Sequence, residues 1–441
     1  MYNHTVSLVK YSEPLESVRQ AVDMAGGLGR IKPGDKVFIK PNIVFWTDKV
    51  PFPKWGVITT SRVMQDMVAL LIEQGVRDIT ICEGVVLGRA KDHDTPRHAF
   101  KTLGYDALVA RHGIKVINTF EHPFKEVDLG EGMKLSYAAD ALESDYIVDL
   151  PVMKTHAQTM VSLGIKNLKG LIDINSRKRC HNPDPALDLH NWVARLADPL
   201  PPVFCVIDGI FTSERGPGFD GKMHRSDLLA ASWDVLSADL VGARLLGHDP
   251  AQVPYLTMAA ERAGRPTDLS DLEVKGLKIE DHAKPHAWTF PYNEEGSLPV
   301  GMDKMGISGV SFYKYDNTMC TYCSGINGVV LSAIAMAWQG EPWPKVEVLT
   351  GKMMQPRPGH ESTILLGKCM YQAHKDNPDI KNMIPVKGCP PKPDQIVDAL
   401  HKAGVMVDPN IILNIEKLPG SFMKRYKDKP EFDEKLFQVE D

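Results

Sequence analysis

Four cysteines in the last third of the chain have the residue type and spacing of a metal-cluster site. Cys320 and Cys323 form a C-x-x-C motif, and Cys369 and Cys389 follow after gaps of 45 and 19 residues. Iron–sulfur clusters are commonly held by four thiolates, because soft sulfur ligands match iron and bridging sulfide. Structural zinc is the alternative, although four-cysteine zinc sites more often contain two C-x-x-C motifs. We therefore predict an iron–sulfur cluster, and a full set of four thiolates favours electron transfer as its role.

The sequences around these cysteines carry a family resemblance. They read CTYCSG, GKC and GCPPKPDQIVDAL. They resemble the proximal-cluster domain of nickel–iron hydrogenase small subunits and of the related complex I subunit. The resemblance implies one 4Fe–4S cluster, with these four cysteines as ligands, on a flavodoxin-like α/β domain.

The other three cysteines lie in different surroundings. Cys82 and Cys205 fall within apolar strand patterns, where a free cysteine is usually a small core residue. Cys180 lies in the polar stretch RKRCHN, so it is either a reactive thiol or an incidental loop cysteine, and the pattern favours the second. A disulfide framework is not expected in a reducing compartment.

A second group of candidate residues follows predicted strands in the first half of the chain. The strands end in IKPN and MKTH, and the segment LGIKNLKG comes shortly after the second. Because parallel strands deliver their carboxyl ends to one edge of a sheet, we expect these polar side chains to converge on one cleft. We predict catalytic roles for Lys154, His156 and Lys166. We predict substrate binding by Lys40, Asn42, Asn167, Lys169 and His181.

These residue types favour a small anionic substrate. Lysine side chains beside glycine turns suit the binding of carboxylate or phosphate, and histidine can transfer a proton near neutral pH. Cationic groups that are forced together repel one another, so we expect an anion among them. The alternative is a solvated basic loop, and for Arg177 to Arg179 that alternative is the preferred interpretation.

A broader resemblance covers the chain from about Asp35 to Pro250. The segments that carry it include IKPN, ITTSRV, ITICEG, MKTH, LGIKNLKG, His181 and VIDGIFTSERGPG. They resemble the domain-of-unknown-function family 362, whose members often carry a ferredoxin-type cluster domain in the same chain. This sequence departs from that pattern, since its cysteines have the hydrogenase-like spacing. The resemblance therefore implies an architecture more than a reaction.

Strand and helix patterns alternate throughout residues 1–295. The segment DKVFIKPN is typical of a buried strand and SRVMQDMVALLIEQG of an amphipathic helix with Ser61 as its N-cap. Such alternation predicts an α/β fold, with a mostly parallel sheet covered by helices on both faces. A looser stretch separates this domain from a smaller α/β iron–sulfur domain at 300–441. The charged C-terminal tail is expected on the surface or against a partner.

Composition excludes several classes of protein. The 441 residues are 43% hydrophobic and 24% charged, with a net charge of −5, which is typical of a globular protein without a nucleic-acid or membrane partner. The chain contains no apolar run of transmembrane length and no apolar N-terminal signal, so we expect a cytoplasmic location. No phosphate-loop or dinucleotide motif is present, so a nucleotide cofactor is not indicated.

Together these patterns predict an iron–sulfur oxidoreductase that acts on a small anionic substrate and exchanges electrons with a redox partner protein. Its oxygen-sensitive cluster would call for anaerobic handling, and a homo-oligomer is left open. Two alternatives remain. One is a non-catalytic electron carrier or maturation factor that docks on a partner enzyme. The other is a non-redox isomerase or lyase in which the cluster is structural.

Overall fold

The computed structural model describes residues 4–84 and 92–440. The chain divides into two compact units, which we call unit 1 and unit 2. Unit 1 comprises Met1–Arg177, His190–Thr289 and Pro419–Asp441. Unit 2 comprises Lys178–Leu189 and Phe290–Leu418. These units differ in three segments from the domains 1–295 and 300–441 predicted from sequence. Residues 178–189 and 290–295 belong to unit 2, and residues 419–441 belong to unit 1.

Most of the described strands belong to unit 1. They are β1 (His4–Lys10), β2 (Lys36–Pro41), β3 (Asp78–Glu83), β4 (Lys115–Asn118), β5 (Phe124–Asp128), β6 (Lys134–Ala138), β7 (Tyr146–Leu150), β8 (Val152–His156), β9 (Met160–Ser162), β10 (Val203–Glu214), β11 (Lys222–Ser232) and β12 (Leu272–Gly276). Strands β5 and β6 form a separate antiparallel hairpin, and the others form one sheet.

The large sheet is mostly parallel, as the sequence predicts. Its order is β12-β1-β11-β10-β7-β2-β3-β4, with β8 and β9 joined to β10 off this path. The run from β10 to β4 is parallel throughout, and β11 is antiparallel to both of its neighbours. The chain passes from β2 outward to β3 and β4, and later places β7 on the opposite side of β2. The order therefore reverses between β2 and β7, where α/β sheets open a crevice at the carboxyl ends of their strands.

Helices of unit 1 fill the connections between these strands. They are α1 (Glu16–Met24), α2 (Ser61–Glu73), α3 (Asp94–Thr102), α4 (Tyr105–His112), α5 (Ala139–Leu142), α6 (Gly164–Asn167), α7 (Ile174–Arg179), α8 (Leu189–Val193), α9 (Val235–Leu245), α10 (Pro254–Arg262) and α11 (Ile279–His282); α7 and α8 extend into unit 2. Short 3-10 helices span Thr119–Glu121, Leu168–Leu171, Pro185–Leu187, Pro250–Gln252, Ile415–Arg425 and Glu434–Phe437.

Both faces of the large sheet are buried, as expected for continuous apolar strands. Val37 and Ile39 of β2 share a core with α1 and α2. On the other face, Gly242 of α9 packs so closely that an added Cβ would lie 3.2 Å from the Ile207 side chain of β10. Helix α2 begins one residue from the predicted cap, because Thr60 rather than Ser61 accepts the Val63 N–H with its hydroxyl.

The C-terminal tail is part of the core of unit 1, which corrects the expectation of a surface segment. Tyr426 and Phe437 are buried in the same core as α1 and α2. Phe432 packs against Trp55 at a ring separation of 5.3 Å, and the Trp55 indole donates to the Asp433 carbonyl. The tail is rich in charged residues, which predicts a surface segment. Its aromatic side chains are nevertheless buried, because they pack against residues that are distant in the sequence.

Unit 2 is a smaller parallel α/β unit. Its strands are β13 (Val310–Phe312), β14 (Val346–Leu349), β15 (Ser362–Leu366) and β16 (Met383–Val386). They pair in chain order and are all parallel. Its helices are α12 (Val300–Lys304), α13 (Thr321–Ala337), α14 (Lys368–His374), α15 (Pro393–Lys402) and α16 (Pro409–Leu413). In the described residues of both units, no helix is long and apolar enough to cross a bilayer.

Candidate functional site

The four predicted cluster cysteines all lie in unit 2, beyond the carboxyl ends of its parallel strands. Cys320 caps the N-terminus of α13 and Cys323 lies in its first turn, in the connection after β13. Cys369 lies in α14 after β15, and Cys389 lies between β16 and α15. Because all the strands are parallel, these connections begin at one edge of the sheet. Residues separated by up to 69 positions in the sequence are therefore delivered to one region.

Backbone contacts draw these segments together. The Cys323 N–H donates to the Cys320 carbonyl at 3.0 Å, and the Lys368 N–H donates to the Gly388 carbonyl at 3.0 Å. Gly367 has a φ of +100°, a conformation that glycine adopts readily. A Cβ at this glycine would lie 3.6 Å from Cys323 Sγ. The C-x-x-C turn, the β15 end and the β16 end therefore meet around Cys323.

The thiols also act on one another electrostatically. A hydrogen bond between the two side chains lowers the pKa of Cys320 and raises that of Cys323. Negative charge on Cys369 and Cys389 raises the pKa of Cys323 further. Burial raises the pKa of Cys369, while the nearby ammonium groups of Lys352 and Lys178 lower it. Four thiolates in one region would repel one another, and a multi-iron cluster relieves such repulsion through its metal charge.

The donor set of unit 2 could hold a four-thiolate cluster. Within residues 4–84 and 92–440, no three histidine, cysteine or carboxylate side chains are arranged around a single ion. In a cubane cluster each thiolate binds a different iron, so the four sulfurs stand farther apart than the ligands of one zinc ion. Cys320 and Cys323 are partly buried, whereas Cys369 and Cys389 are exposed. The exposed pair would leave one side of a cluster accessible.

In unit 1, the predicted polar residues converge at the reversal point between β2 and β7. Lys40 is fully buried at the end of β2, and its ammonium forms an ion pair of 2.6 Å with Glu83 at the end of β3. Glu83 also accepts the backbone N–H groups of Ile43 and Gly84. An added Cβ on Gly170 would lie only 2.5 Å from Lys40 Cε. Lys40 therefore has an internal carboxylate partner, which corrects the expectation that an external anion must balance it.

A chain of hydrogen bonds links two buried ionisable groups beside this pair. Lys154 Nζ donates to Asn42 Oδ1 at 2.7 Å, and Asn42 Nδ2 donates to Asn167 Oδ1 at 2.7 Å. Asn167 Nδ2 then donates to Asp149 Oδ1 at 2.8 Å. Each amide is held in one orientation by its two partners. The chain therefore connects Lys154 at one end with Asp149 at the other through two asparagines.

Burial shifts both ends of this chain toward neutral pH. It raises the pKa of Asp149 to about 8, against the opposing effects of Lys40 and Asn167. It lowers the pKa of Lys154 to about 7, although Glu83 favours the charged form. Among the described residues, no carboxylate lies within ion-pair distance of Lys154. Two groups that can gain or lose a proton near pH 7 are a feature of proton-transfer sites.

The remaining predicted residues of unit 1 surround this chain. His156 is buried at the end of β8, where its Nδ1 accepts the Gln158 N–H and its Nε2 lies 3.5 Å from Lys166 Nζ. Lys166 and Asn167 both belong to α6, and Lys169 is buried in the following 3-10 helix. Lys154, His156, Lys166 and Asn167 thus occupy one region with Lys40 and Asn42.

Other predicted features are placed differently. His181 belongs to unit 2, where its Nδ1 lies 2.7 Å from the Asn317 carbonyl oxygen. Arg177 is not a solvated loop residue: it is buried, donates to the Ile172 and Gly170 carbonyls, and stacks over Phe120. Cys82, Cys180 and Cys205 are all buried, and Cys180 lies in the turn that follows α7.

Sequence reasoning missed Asp149 and the role of Glu83. Both lie at strand ends, in IVDLP and ITICEG, which is the signal that singled out Lys40 and Lys154. These acids lie among the cations that suggested an anion site, with Glu83 paired to Lys40 and Asp149 bonded to Asn167. Asp239 was also missed: its carboxylate accepts the Gly164 and Ile165 N–H groups and fixes the start of α6.

A thylakoid-associated protein of Synechocystis sp. is 29% identical over 255 residues, which cover 57% of this chain and 75% of that protein. The lactate racemase apoprotein from Thermoanaerobacterium thermosaccharolyticum has 16% identity and a TM-score of 0.36, covering 56% of this chain and 57% of that one.

A second solved structure, a Thermotoga maritima protein from a structural genomics consortium, has 12% identity and a TM-score of 0.27, covering 61% of this chain and 62% of that one. The chain spans less than two thirds of either solved protein. Residues 37–244 match the family model described as a domain of unknown function, DUF362, which supports the resemblance identified in the N-terminal region.

Proposed function

We propose that this protein is an iron–sulfur oxidoreductase that acts on a small anionic substrate in unit 1 and moves electrons through one 4Fe–4S cluster in unit 2. The observation that carries the proposal is the meeting of Cys320, Cys323, Cys369 and Cys389 beyond the strand ends of unit 2. Four thiolates saturate a cubane, so its chemistry when bound is one-electron transfer.

The polar residues of unit 1 support the part of the proposal that concerns substrate binding and proton transfer. Lys154 and Asp149 hold or release protons near pH 7, and Asn42 and Asn167 fix their positions. His156 and Lys166 would bind the anionic group of the substrate, because charge-assisted hydrogen bonds to carboxylate or phosphate are stronger than neutral ones. Many two-electron reductions also require protons, and this site would deliver them.

The first experiment tests the cluster. Protein purified anaerobically should be brown and contain about four irons and four sulfides per chain, the composition of a cubane. Cys389→Ser should remove most of the iron. The matched control is Cys205→Ser, which changes a buried thiol of unit 1 and should leave the iron in place. Stoichiometric zinc without iron in anaerobic preparations would overturn the cluster.

The second experiment tests the substrate class. Lys166→Ala should weaken the binding of carboxylate or phosphate compounds about tenfold or more, because a charge-assisted hydrogen bond contributes about 1.5–3 kcal/mol. Calorimetric titration against a panel of small organic acids and phosphate esters measures this loss. Iron content should stay at the wild-type level, since Lys166 belongs to unit 1. Equal affinity of variant and wild type for every bound anion would contradict the assignment.

A non-redox isomerase or lyase is the second candidate, and one observation favours it. Lys154 is a buried lysine whose pKa is lowered to about 7, and its neutral amine can abstract a proton without any electron transfer. In that case the cluster would be structural. Solvent-deuterium incorporation into a bound substrate by the oxidised, non-reducible protein would distinguish this candidate, because the oxidoreductase requires a change in cluster oxidation state.

A further inference from the structure

The exposed side of the thiol site is surrounded by lysines. Cys369 and Cys389 are exposed, and so are Lys368, Lys387 and Lys392 in the same two connections. The segments 366–375 and 386–393 contain four lysines and no aspartate or glutamate. The whole chain, in contrast, carries a net charge of −5. Positive charge is therefore concentrated where a bound cluster would be accessible; we call Lys368, Lys387 and Lys392 the lysine rim.

Contacts within unit 2 hold this charge in place. The Lys387 ammonium lies 4.3 Å from the centre of the Tyr371 ring. The Lys178 ammonium lies 4.9 Å from the centre of the ring of Tyr322, the residue before Cys323 in the sequence. Lys352 donates to the His181 carbonyl, and its charge acts on Cys369. Cation–π contacts restrict the movement of long side chains, so the Lys387 ammonium is held beside Tyr371.

A rim of exposed lysines around a one-electron centre suits a negatively charged partner. Complementary charge on two proteins accelerates their encounter by 10- to 1,000-fold and orients the docking face. An electron carrier benefits from such steering because it must approach the cluster closely and then leave. A small-molecule substrate would instead require an enclosed pocket, and these lysines are exposed.

We propose that the lysine rim is the docking surface for a small acidic one-electron carrier protein, which exchanges one electron with the cluster beside Cys369 and Cys389. This inference rests on the proposed cluster. In the forward step the reduced carrier loses one electron and the oxidised cluster gains it, with no bond formed or broken. In the reverse step the reduced cluster returns one electron to the oxidised carrier.

Stopped-flow spectrophotometry of the full-length, cluster-loaded protein tests the proposal. Reduced plant-type ferredoxin, a small acidic carrier, is mixed with the oxidised protein under anaerobic conditions. The second-order rate constant should fall about tenfold or more as ionic strength is raised, because salt screens surface charges. The triple variant Lys368→Glu, Lys387→Glu, Lys392→Glu should react at least about tenfold more slowly at low salt and should lose the salt dependence.

A control variant with the same change in net charge distinguishes a loss of docking from a general effect of charge on the reaction rate. The triple variant Lys304→Glu, Lys345→Glu, Lys381→Glu makes the same charge change at exposed positions of unit 2 that precede strands β13, β14 and β16 and lie outside the cysteine connections. It should keep most of the wild-type rate. Iron content and visible spectra should match the wild type in both variants, so a slower rate reports docking rather than cluster loss.

Three results would overturn the inference in distinguishable ways. Wild-type protein that binds no cluster would remove the proposed function together with the docking surface. Cluster-loaded rim and control variants with equal rates would remove the docking surface alone. Rim-dependent sedimentation with phosphatidylglycerol vesicles, without any effect of the rim variant on ferredoxin, would assign the lysines to an anionic membrane surface instead.

Discussion

In both units the candidate functional residues lie at the carboxyl ends of parallel strands, but those of unit 1 are buried and two of those in unit 2 are exposed. In unit 1, Lys40, Glu83 and Asp149 lie at the ends of β2, β3 and β7 and are buried. In unit 2, Cys369 and Cys389 follow the ends of β15 and β16 and are exposed. Both arrangements follow from parallel strands, whose connections start at one edge. Unit 1 excludes water from these polar groups, whereas unit 2 leaves two of its four candidate ligand cysteines exposed.

The two environments have different chemical consequences. Burial moves the pKa values of Asp149 and Lys154 toward neutrality, because charge is costly in an apolar interior. Thiols that must accept iron and exchange electrons need an open side. Each of the following variants changes a residue of one unit. A change in iron content or stability that is confined to that unit supports the difference between the two environments, and a change shared by both units argues against it.

The largest expected effect is on the thiol site. Cys323→Ser removes the cysteine around which the three segments meet, and the iron content should fall from about four to near zero per chain. The control is Cys82→Ser, which alters a buried thiol of unit 1 that already contacts the Thr119 hydroxyl. Iron and sulfide assays on anaerobic protein provide the measurement. Retention of half or more of the iron by Cys323→Ser would contradict the four-thiolate site.

The next effect is on the buried ion pair of unit 1. Lys40→Ala leaves Glu83 as an unpaired buried charge, which should lower the free energy of unfolding by about 3–5 kcal/mol. The control is Lys115→Ala, because the Lys115–Asp78 pair is exposed and such pairs contribute about 0–1 kcal/mol. Urea denaturation followed by tryptophan fluorescence measures both. Equal losses in the two variants would show that the Lys40 site is solvated.

A smaller effect concerns the pH dependence of stability at Asp149. Its pKa is raised from 3.8 to about 8, so the folded chain keeps a proton that the unfolded chain has lost. Stability from this group is therefore full below pH 3.8 and falls as pH rises toward 8, by at most about 1.4 kcal/mol per pH unit. Asp149→Asn should flatten this fall in urea titrations between pH 5 and pH 7. An unchanged slope would place the carboxylate in contact with water.

The smallest expected effect is the pH dependence of stability at Lys154, where stability rises with pH over a narrower range than the fall caused by Asp149. The pKa of Lys154 is lowered from 10.5 to about 7, so above pH 7 the unfolded chain binds the extra proton. Stability should rise with pH between about 7 and 10 because of this group. Lys154→Met should remove that rise, which thermal melts across the same range would measure. A rise that persists in the variant would contradict the assignment to Lys154 and would have to come from another group with a lowered pKa, such as Lys54.

Some of this molecule could be read from short-range sequence patterns. Apolar runs that end in polar residues identified β2 and β8, and the positions of Lys40 and Lys154 followed from parallel pairing. Glycine-bounded helices such as α2 were also predicted, although its cap is Thr60. These features depend on spacings of two to four residues, over which side-chain periodicity and turn chemistry act directly.

The sequence by itself determined the parallel α/β class of unit 1, the convergence of its strand-end residues and the cysteine spacing on which the cluster prediction depends. Only the tertiary structure decided that Glu83 neutralises Lys40, that Asp149 completes the chain from Lys154, that His181 belongs to unit 2 and that the tail buries Phe437 in unit 1. Each of these is a pairing between distant segments. Burial and charge partners arise from that packing, because desolvation depends on every atom around a group and not on its neighbours in the sequence.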